Sequence, residues 1–514
     1  MTAVTRTGPT TEPFSGWLSS HHWRPSQLSF GFPADGSSYS YQDPGDVRPL
    51  APAQQDAVRA ALAQIAAVTG LRFDELSDPL AGTATLRFAR EVGLAGGYAY
   101  LPERDETGGD AFFGAGTTQP VAGNEANLFF IHEIGHAMGL NHGHEAPGFF
   151  QSRLDSQEFT IMTYSDYVGD AEIESYDSGP VDWAQSYMQL DIAALQFLYG
   201  ANYASSGELW SGDTVYRFDP ASGEMSVNGA GQGAPAGNRI FRTIWDGDGV
   251  DTYDLANYGT DLDIDLSPGG WSTFSAMQLA DLDRFSTAQD RVARGNLANA
   301  RLVQGDQRAL IENATGGSGD DTIRGNAADN TLRGRAGEDS LFGRAGADRL
   351  FGGLGADDLA GGAQADRLQG GAGRDTLSGA KGSDVLQGGA GADRLDGGRH
   401  RDTLIGGAGA DRLTGGQGAD VFVYRDRAEA ALGGKTERIT DFSSGLDWLD
   451  LSGLQGPALA LVLNGDHANG SPSVATALAG ADTRVTVDLT GDGSADMLIL
   501  LLAVETLQAG DFIL

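Results

Sequence analysis

The chain has 514 residues, 40% hydrophobic, with no cysteine and 70 acidic against 34 basic residues, a formal charge of −36. That length predicts two or three domains. The missing cysteines exclude disulfides and thiolate metal sites, and so acidic a chain is a poor partner for nucleic acid or anionic membranes but suits hard cations bound through oxygen.

No apolar run long enough to read as a membrane span is found. The opening "MTAVTRTGPTTEPFSGW" lacks the apolar segment of a Sec-type signal peptide. Residues 1–15 are polar and read as loose. "LSFGFP" (Leu28 to Pro33) alternates like a strand. "PAQQDAVRAALAQIAAVTG" reads as an amphipathic helix, with Pro52 at its start and Gly70 just past its end. "ATLRFAR" and "GGYAYLP" read as strands, and "MQLDIAALQFLYG" (Met188 to Gly200) as a helix stopped by glycine.

Between these lies "LFFIHEIGHAMGLNHGHE", residues 128–145. On a helix His132 and His136 share one face a turn apart, so both imidazoles can grip one zinc ion. Glu133 is near enough to act on a water held by that ion. Gly139 permits a sharp turn that can return His142 as a third ligand. Five fixed positions in HExxHxxGxxH make chance a poor explanation, whereas His144 lies outside the pattern and reads as a surface residue. "FTIMTYSDY" then places Met162 and Tyr164 where a Met-turn would lie beneath the metal.

After Gly200 short strands and glycine turns take over. "IWDGDGVDTYDL" looks like an isolated calcium turn with Asp246, Asp248 and Asp251 as candidate ligands. "DLTGDGSAD" (Asp488 to Asp496) is balanced between a calcium loop and a solvated turn. From Gly316 to about Tyr424 a nine-residue repeat runs for twelve units, as in "GGAGRDTLS" and "GGAGADRLD". Its glycines permit tight turns, its sixth-position aspartate offers oxygen, and its single large apolar residue can point inward. Two units then make one coil of a parallel β-roll, with calcium between successive turns. Units on one side are 18 residues apart. The odd units carry Asp321, Asp339, Asp357, Asp375, Asp393 and Asp411. The even units carry Asp348, Asp366, Asp384, Asp402 and Asp420, with Asn330 in place of the first. The even units also hold all the exceptions to the fourth-position glycine, Ala328, Gln364 and His400, so two unequal calcium columns are expected.

"HEIGHAMGLNH", "TIMTY", "DIAALQFLYGANY" and the nonapeptide repeats together resemble the serralysins, secreted bacterial zinc metalloproteases of the metzincin group. The resemblance extends to "LSSHHWRPSQLSFGFP" and to "GGYAYLP" with the following "GGDAFF". It implies an α+β metzincin-like zinc protease domain followed by an all-β parallel β-roll (RTX) domain. His132, His136 and His142 would bind one catalytic zinc, Glu133 would be the general base, and Tyr164 a further, displaceable ligand that can steady the oxyanion. It further implies several calcium ions, protein or peptide substrates, no membrane insertion, a monomer, and one-step type I secretion, for which the closing "DFIL" resembles the signal. The expected organisation is a short pro-segment or disordered N-terminus over 1–15, a catalytic domain over 16–205, a β-rich start of the C-terminal domain over 206–315, the calcium roll over 316–424, and a β region with the secretion signal over 425–514. One departure stands out: Gly143 follows the third histidine where that family usually has proline, so a looser loop is expected there. The competing readings are a non-enzymatic calcium-binding surface protein with a relic zinc site, and a lipase, against which no GxSxG motif occurs in the first 300 residues.

Overall fold

The computed structural model describes residues 3–39, 41, 45–77, 84–143, 152–170, 177–203, 212–286, 291–430, 436–456, 458–467 and 470–514. His144 lies outside them. The chain forms two compact units, residues 1–252 with 268–311, and residues 253–267 with 312–514. Among the described residues no helix is long and apolar enough to cross a membrane.

The first unit is α+β. Its N-terminal segment, expected to be loose, contains strand β1 (Val4–Arg6), which pairs antiparallel with β2 (His21–Trp23). The main sheet holds β3 (Gln27–Gly31), β5 (Arg72–Leu76), β6 (Leu86–Glu91), β7 (Gly97–Ala99) and β8 (Asp110–Phe113), in the order β5-β3-β6-β8-β7. The short β4 (Val47–Arg48) pairs with β6. All pairs along the order are parallel except the last, where β7 runs antiparallel to β8 at the edge of the sheet.

Helix α1 (Pro52–Val68) starts at the proline, whose missing N–H costs nothing there. It buries Val58, Ala61, Leu62 and Ile65 at helical spacing. Helix α2 (Glu125–Ala137) is capped by Asn124, whose side chain accepts from the Asn127 N–H at 2.9 Å. Helix α3 (Gln189–Tyr199) ends at Gly200, with φ +79°. Phe130 of α2 stacks on Phe113 of β8 with ring centroids 4.1 Å apart, and both are fully buried, which fixes α2 over the sheet beside β7. The unit runs beyond residue 205, the expected end of the catalytic domain. Phe241, Ala280, Leu282 and Ala293 share its core, and the Arg294 guanidinium pairs with Glu158 at 2.9 Å.

Over the repeats the second unit is a parallel β-roll, and residues 473–501 add antiparallel strands to one of its sheets. Alternate strands belong to opposite sheets, and within each sheet residue i pairs with residue i+18: Leu332 with Leu350 on one side, Leu341 with Leu359 on the other. That register is two nine-residue units per coil. The repeat leucines from Leu332 to Leu413 point inward and are at most 2% exposed. Past the repeats the sheets continue at other offsets, Leu413 beside Ile439 and Phe422 beside Leu449. Phe512 and Ile513 of the closing "DFIL" pair with Leu449 and Asp450.

Candidate metal centre

Three side chains converge at the C-terminal end of α2. His132 and His136 lie one turn apart, and Gly139, with φ +96°, turns the chain so that His142 comes back against them. Nε2 of His142 stands 3.1 Å from Nε2 of His132 and 2.9 Å from Nε2 of His136. The outer nitrogens are fixed by backbone: Nδ1 of His132 donates to the Ile161 carbonyl and Nδ1 of His136 to the Leu140 carbonyl, each at 2.7 Å. With their protons on Nδ1, both helix imidazoles present lone pairs at Nε2. Lone pairs this close repel unless a positive centre lies among them. His142 can offer a proton to one neighbour at a time, whereas a divalent cation satisfies all three, and the donor set is that of a nitrogen-ligated metal with positions left open.

The Met-turn is in place. A Cβ on Gly135, between the two helix histidines, would meet Met162 Sδ at 2.7 Å, so the thioether lies directly under the metal-binding turn. Asp191 of α3 secures it, accepting from Thr160 Oγ1 at 2.5 Å and from the N–H groups of Ile161 and Met188 at 2.8 and 2.9 Å. Tyr164 Oη reaches within 3.0 Å of His142 Nε2. Glu133 is 5% exposed, and burial alone pushes its carboxyl up to about 8. Its side chain is pressed against the edge strand, where a Cβ on Gly97 would stand 2.8 Å from Glu133 Cγ.

Gly143 is the last described residue before the loop expected to be looser, and residues 144–151 of that loop lie outside the described residues. Gly143 is buried, and the space a side chain would take there is filled by the Trp17 indole, 1% exposed.

Among the calcium candidates, Asp246 and Asp251 are buried, accepting from Tyr216 Oη at 2.6 Å and the Thr214 N–H at 2.9 Å, while Asp248 is exposed. Asp246 Oδ1 is buried without a hydrogen-bond partner, and burial pushes that carboxyl up to about 6. The repeat aspartates form two ladders. From Asp339 onward, Oδ1 of each accepts the backbone N–H of the residue 18 positions earlier, as for Asp339 and Asp321 at 2.8 Å and for Asp348 and Asn330 at 2.7 Å. Their Oδ2 atoms, from Asp339 to Asp402 on both sides, are buried without hydrogen-bond partners. Unpaired carboxylate oxygens are costly in such a place, and burial accordingly raises Asp348 to about 6 and Asp366 and Asp393 to about 7. Stacked, unpartnered oxygens facing glycine turns fit an oxygen-seeking cation.

The even ladder differs where the sequence marks it. Asn330 donates its amide to the Glu312 carbonyl and to Asn326 Oδ1, and Gln364 turns its own amide oxygen onto the Gly346 N–H at 3.1 Å. Both ladders continue beyond the repeats into residues the period missed. The Asp411 N–H bonds Glu437 Oε2 at 3.1 Å, and the Asp420 N–H bonds Asp447 Oδ1 at 2.9 Å. One signal was available: each acid stands two residues before an inward apolar side chain, Ile439 or Leu449, as each repeat aspartate does before its leucine. In "DLTGDGSAD" Asp488 already accepts from the Gly491 and Gly493 N–H groups.

Residues 205–514 match the family described as Peptidase M10 serralysin C terminal. The chain belongs to the serralysin family. It is 31% identical over 269 residues to a serralysin of Proteus mirabilis, covering 50% of this chain and 46% of the relative. It is 30% identical over 341 residues to serralysin B of Dickeya chrysanthemi, covering 61% and 62%. Metalloprotease AprA of Pseudomonas entomophila is 29% identical over 219 residues, 40% of this chain and 38% of the relative. The chain thus spans about half the length of the curated serralysins it matches. Among the described residues, His132, His136 and His142 form a cluster that could hold a metal ion, and one of the relatives is named a metalloprotease.

Proposed function

We propose that this serralysin-family chain is a secreted zinc endopeptidase acting on proteins or peptides. The observation that carries the reading is the meeting of three imidazole Nε2 atoms beside a buried carboxylate. His132, His136 and His142 would hold zinc, which when bound acts as a Lewis acid, polarising a carbonyl and lowering the pKa of a water toward neutrality. Glu133 takes the proton of the attacking water and passes it to the leaving amine. Its burial suits this, since a carboxyl held near neutral can both accept and return a proton. Tyr164 Oη stands beside the triad, where its O–H can donate to the oxyanion of the tetrahedral intermediate, a contribution of about 3 kcal/mol. Strand β7 lies at the sheet edge over Glu133, and an extended peptide can pair along its open side.

The second unit is read as a calcium-filled roll with the repeat aspartates as ligands, folding outside the cell where calcium is plentiful, and Asp246 and Asp251, with Asp248, as ligands of a separate calcium turn in the first unit. The C-terminal "DFIL" is read as part of the type I export signal. Glu133→Gln tests the central claim. Casein cleavage should be lost with zinc still bound; a wild-type protein that binds zinc and cleaves nothing would leave the relic-site reading standing.

A further inference from the structure

The Gly143 departure has a structural partner near the start of the chain. We infer that Trp17 and its neighbours are positioning residues for the metal, clamping the loop that delivers His142, and that Gly143 is glycine because the Trp17 indole occupies its side-chain space. The clamp is a short antiparallel pairing. Leu18 and Leu140 form a bridge, the Ser19 N–H donates to the Gly139 carbonyl at 2.9 Å, and the Asn141 N–H donates to the Trp17 carbonyl at 2.7 Å. Asn141 Nδ2 adds a bond to the Leu18 carbonyl at 3.3 Å. The residue so held, Leu140, is the one whose carbonyl fixes the His136 ring. The same short pairing therefore braces one ligand's tautomer and the approach of the next.

At Gly143 the space, not the backbone, demands glycine. Its φ is not in the left-handed region. A Cβ there would lie 2.5 Å from Trp17 Nε1 and 2.6 Å from Cε2, against a rigid ring that is 1% exposed. Where a proline would stiffen the residue after His142 through its own ring, this chain stiffens it by packing an indole from residue 17.

The inference rests on the zinc reading and is tested by zinc retention in the full chain at saturating calcium. Zinc loss to a chelator is followed well below the melting temperature, in the wild type, Gly143→Ala, Trp17→Phe, and Trp17→Ala with and without Gly143→Ala. Gly143→Ala should lose zinc about tenfold faster, the scale of disturbing a ligand's supporting contacts. In the Trp17→Ala background the added methyl has room, so the second substitution should cost little more. Trp17→Phe keeps the cover and should fall between, and it carries the same comparison if Trp17→Ala does not fold. Wild-type zinc retention in Gly143→Ala, or penalties that simply add, would overturn the clamp. A purely structural role would lower the melting temperature and leave zinc loss from the folded protein unchanged. A wild type that takes up no zinc refutes the zinc reading itself.

Discussion

Gly97→Ala adds one methyl group to the edge strand, and the structure says where it goes. The new carbon would stand 2.8 Å from Glu133 Cγ and 3.2 Å from Oε1. Carbon atoms settle at about 3.5–4.0 Å, so a gap of about 1 Å has to open. Strand β7 resists retreat, because Gly97 is registered against Phe113 of β8. Helix α2 resists too, because Phe130 is stacked on Phe113. The Glu133 side chain is the softest of the three and should yield. A displacement of about 1 Å in a catalytic group costs about 10²-fold in rate, or about 2.7 kcal/mol of barrier. The assay is kcat and KM on a quenched fluorescent peptide, with bound zinc and melting temperature measured on the same preparation. The expected result is kcat down about 10²-fold with KM and zinc content near wild type. A raised KM with kcat intact would mean that the strand moved and the carboxylate did not, and would refute the reasoning.

Two further outcomes follow from buried carboxylates. Asp191→Ala strands three donors at the Met-turn, the Thr160 hydroxyl and the Ile161 and Met188 N–H groups, and should destabilise the first unit by at least about 3 kcal/mol, read by denaturant melting at fixed calcium and zinc. The calcium-free roll should respond to pH in the direction its raised carboxyls dictate. Asp348, at about 6, and Asp366 and Asp393, at about 7, hold protons in the fold that the unfolded chain releases near the ordinary value of 3.8. Their contribution is therefore present below about pH 4 and is lost as pH rises through 6 to 7. Circular dichroism of the calcium-free protein should show more residual roll at pH 5 than at pH 7.5, and saturating calcium should erase the difference; the reverse order would contradict it.

What could be read from the sequence was local or periodic. The helix of "PAQQDAVRAALAQIAAV" is set by its proline start and its apolar spacing, and it runs from Pro52 to Val68. The HExxHxxGxxH spacing is geometry written in residue numbers, and the three imidazoles meet as that spacing requires. The 18-residue register of the roll is the repeat itself. What escaped depends on distant partners. Nothing near Gly143 announces that Trp17 fills its space, and nothing near Glu133 announces Gly97. Glu437 and Asp447 join the ladders at offsets of 26 and 27 residues, so a search at a fixed period passes over them. The texture change after Gly200 was visible, yet Phe241, Leu282 and Arg294 still serve the first unit, because packing follows complementary surfaces and not composition.

The two units should answer differently to the removal of ions, and the reason lies in what each buries. The first has a wide apolar core drawn from helices, sheet and loops, so its metal centre is held by a fold that stands on other contacts. The roll buries one leucine per nine residues. Its glycine turns stack so closely that a Cβ on Gly373 would lie 1.7 Å from the carbonyl oxygen of Gly355, which leaves no space for further apolar side chains. The same turns bury carboxylate oxygens without donors. A structure with so little hydrophobic gain and so many unpaired acids is unfavourable as an anion stack, and becomes favourable once divalent cations fill it. On the proposed reading the cation would be part of the roll's fold, whereas a metal at the histidine triad would enter a fold already made. If the proposed calcium reading holds, the roll should be extended where free calcium is scarce and should form where calcium is abundant.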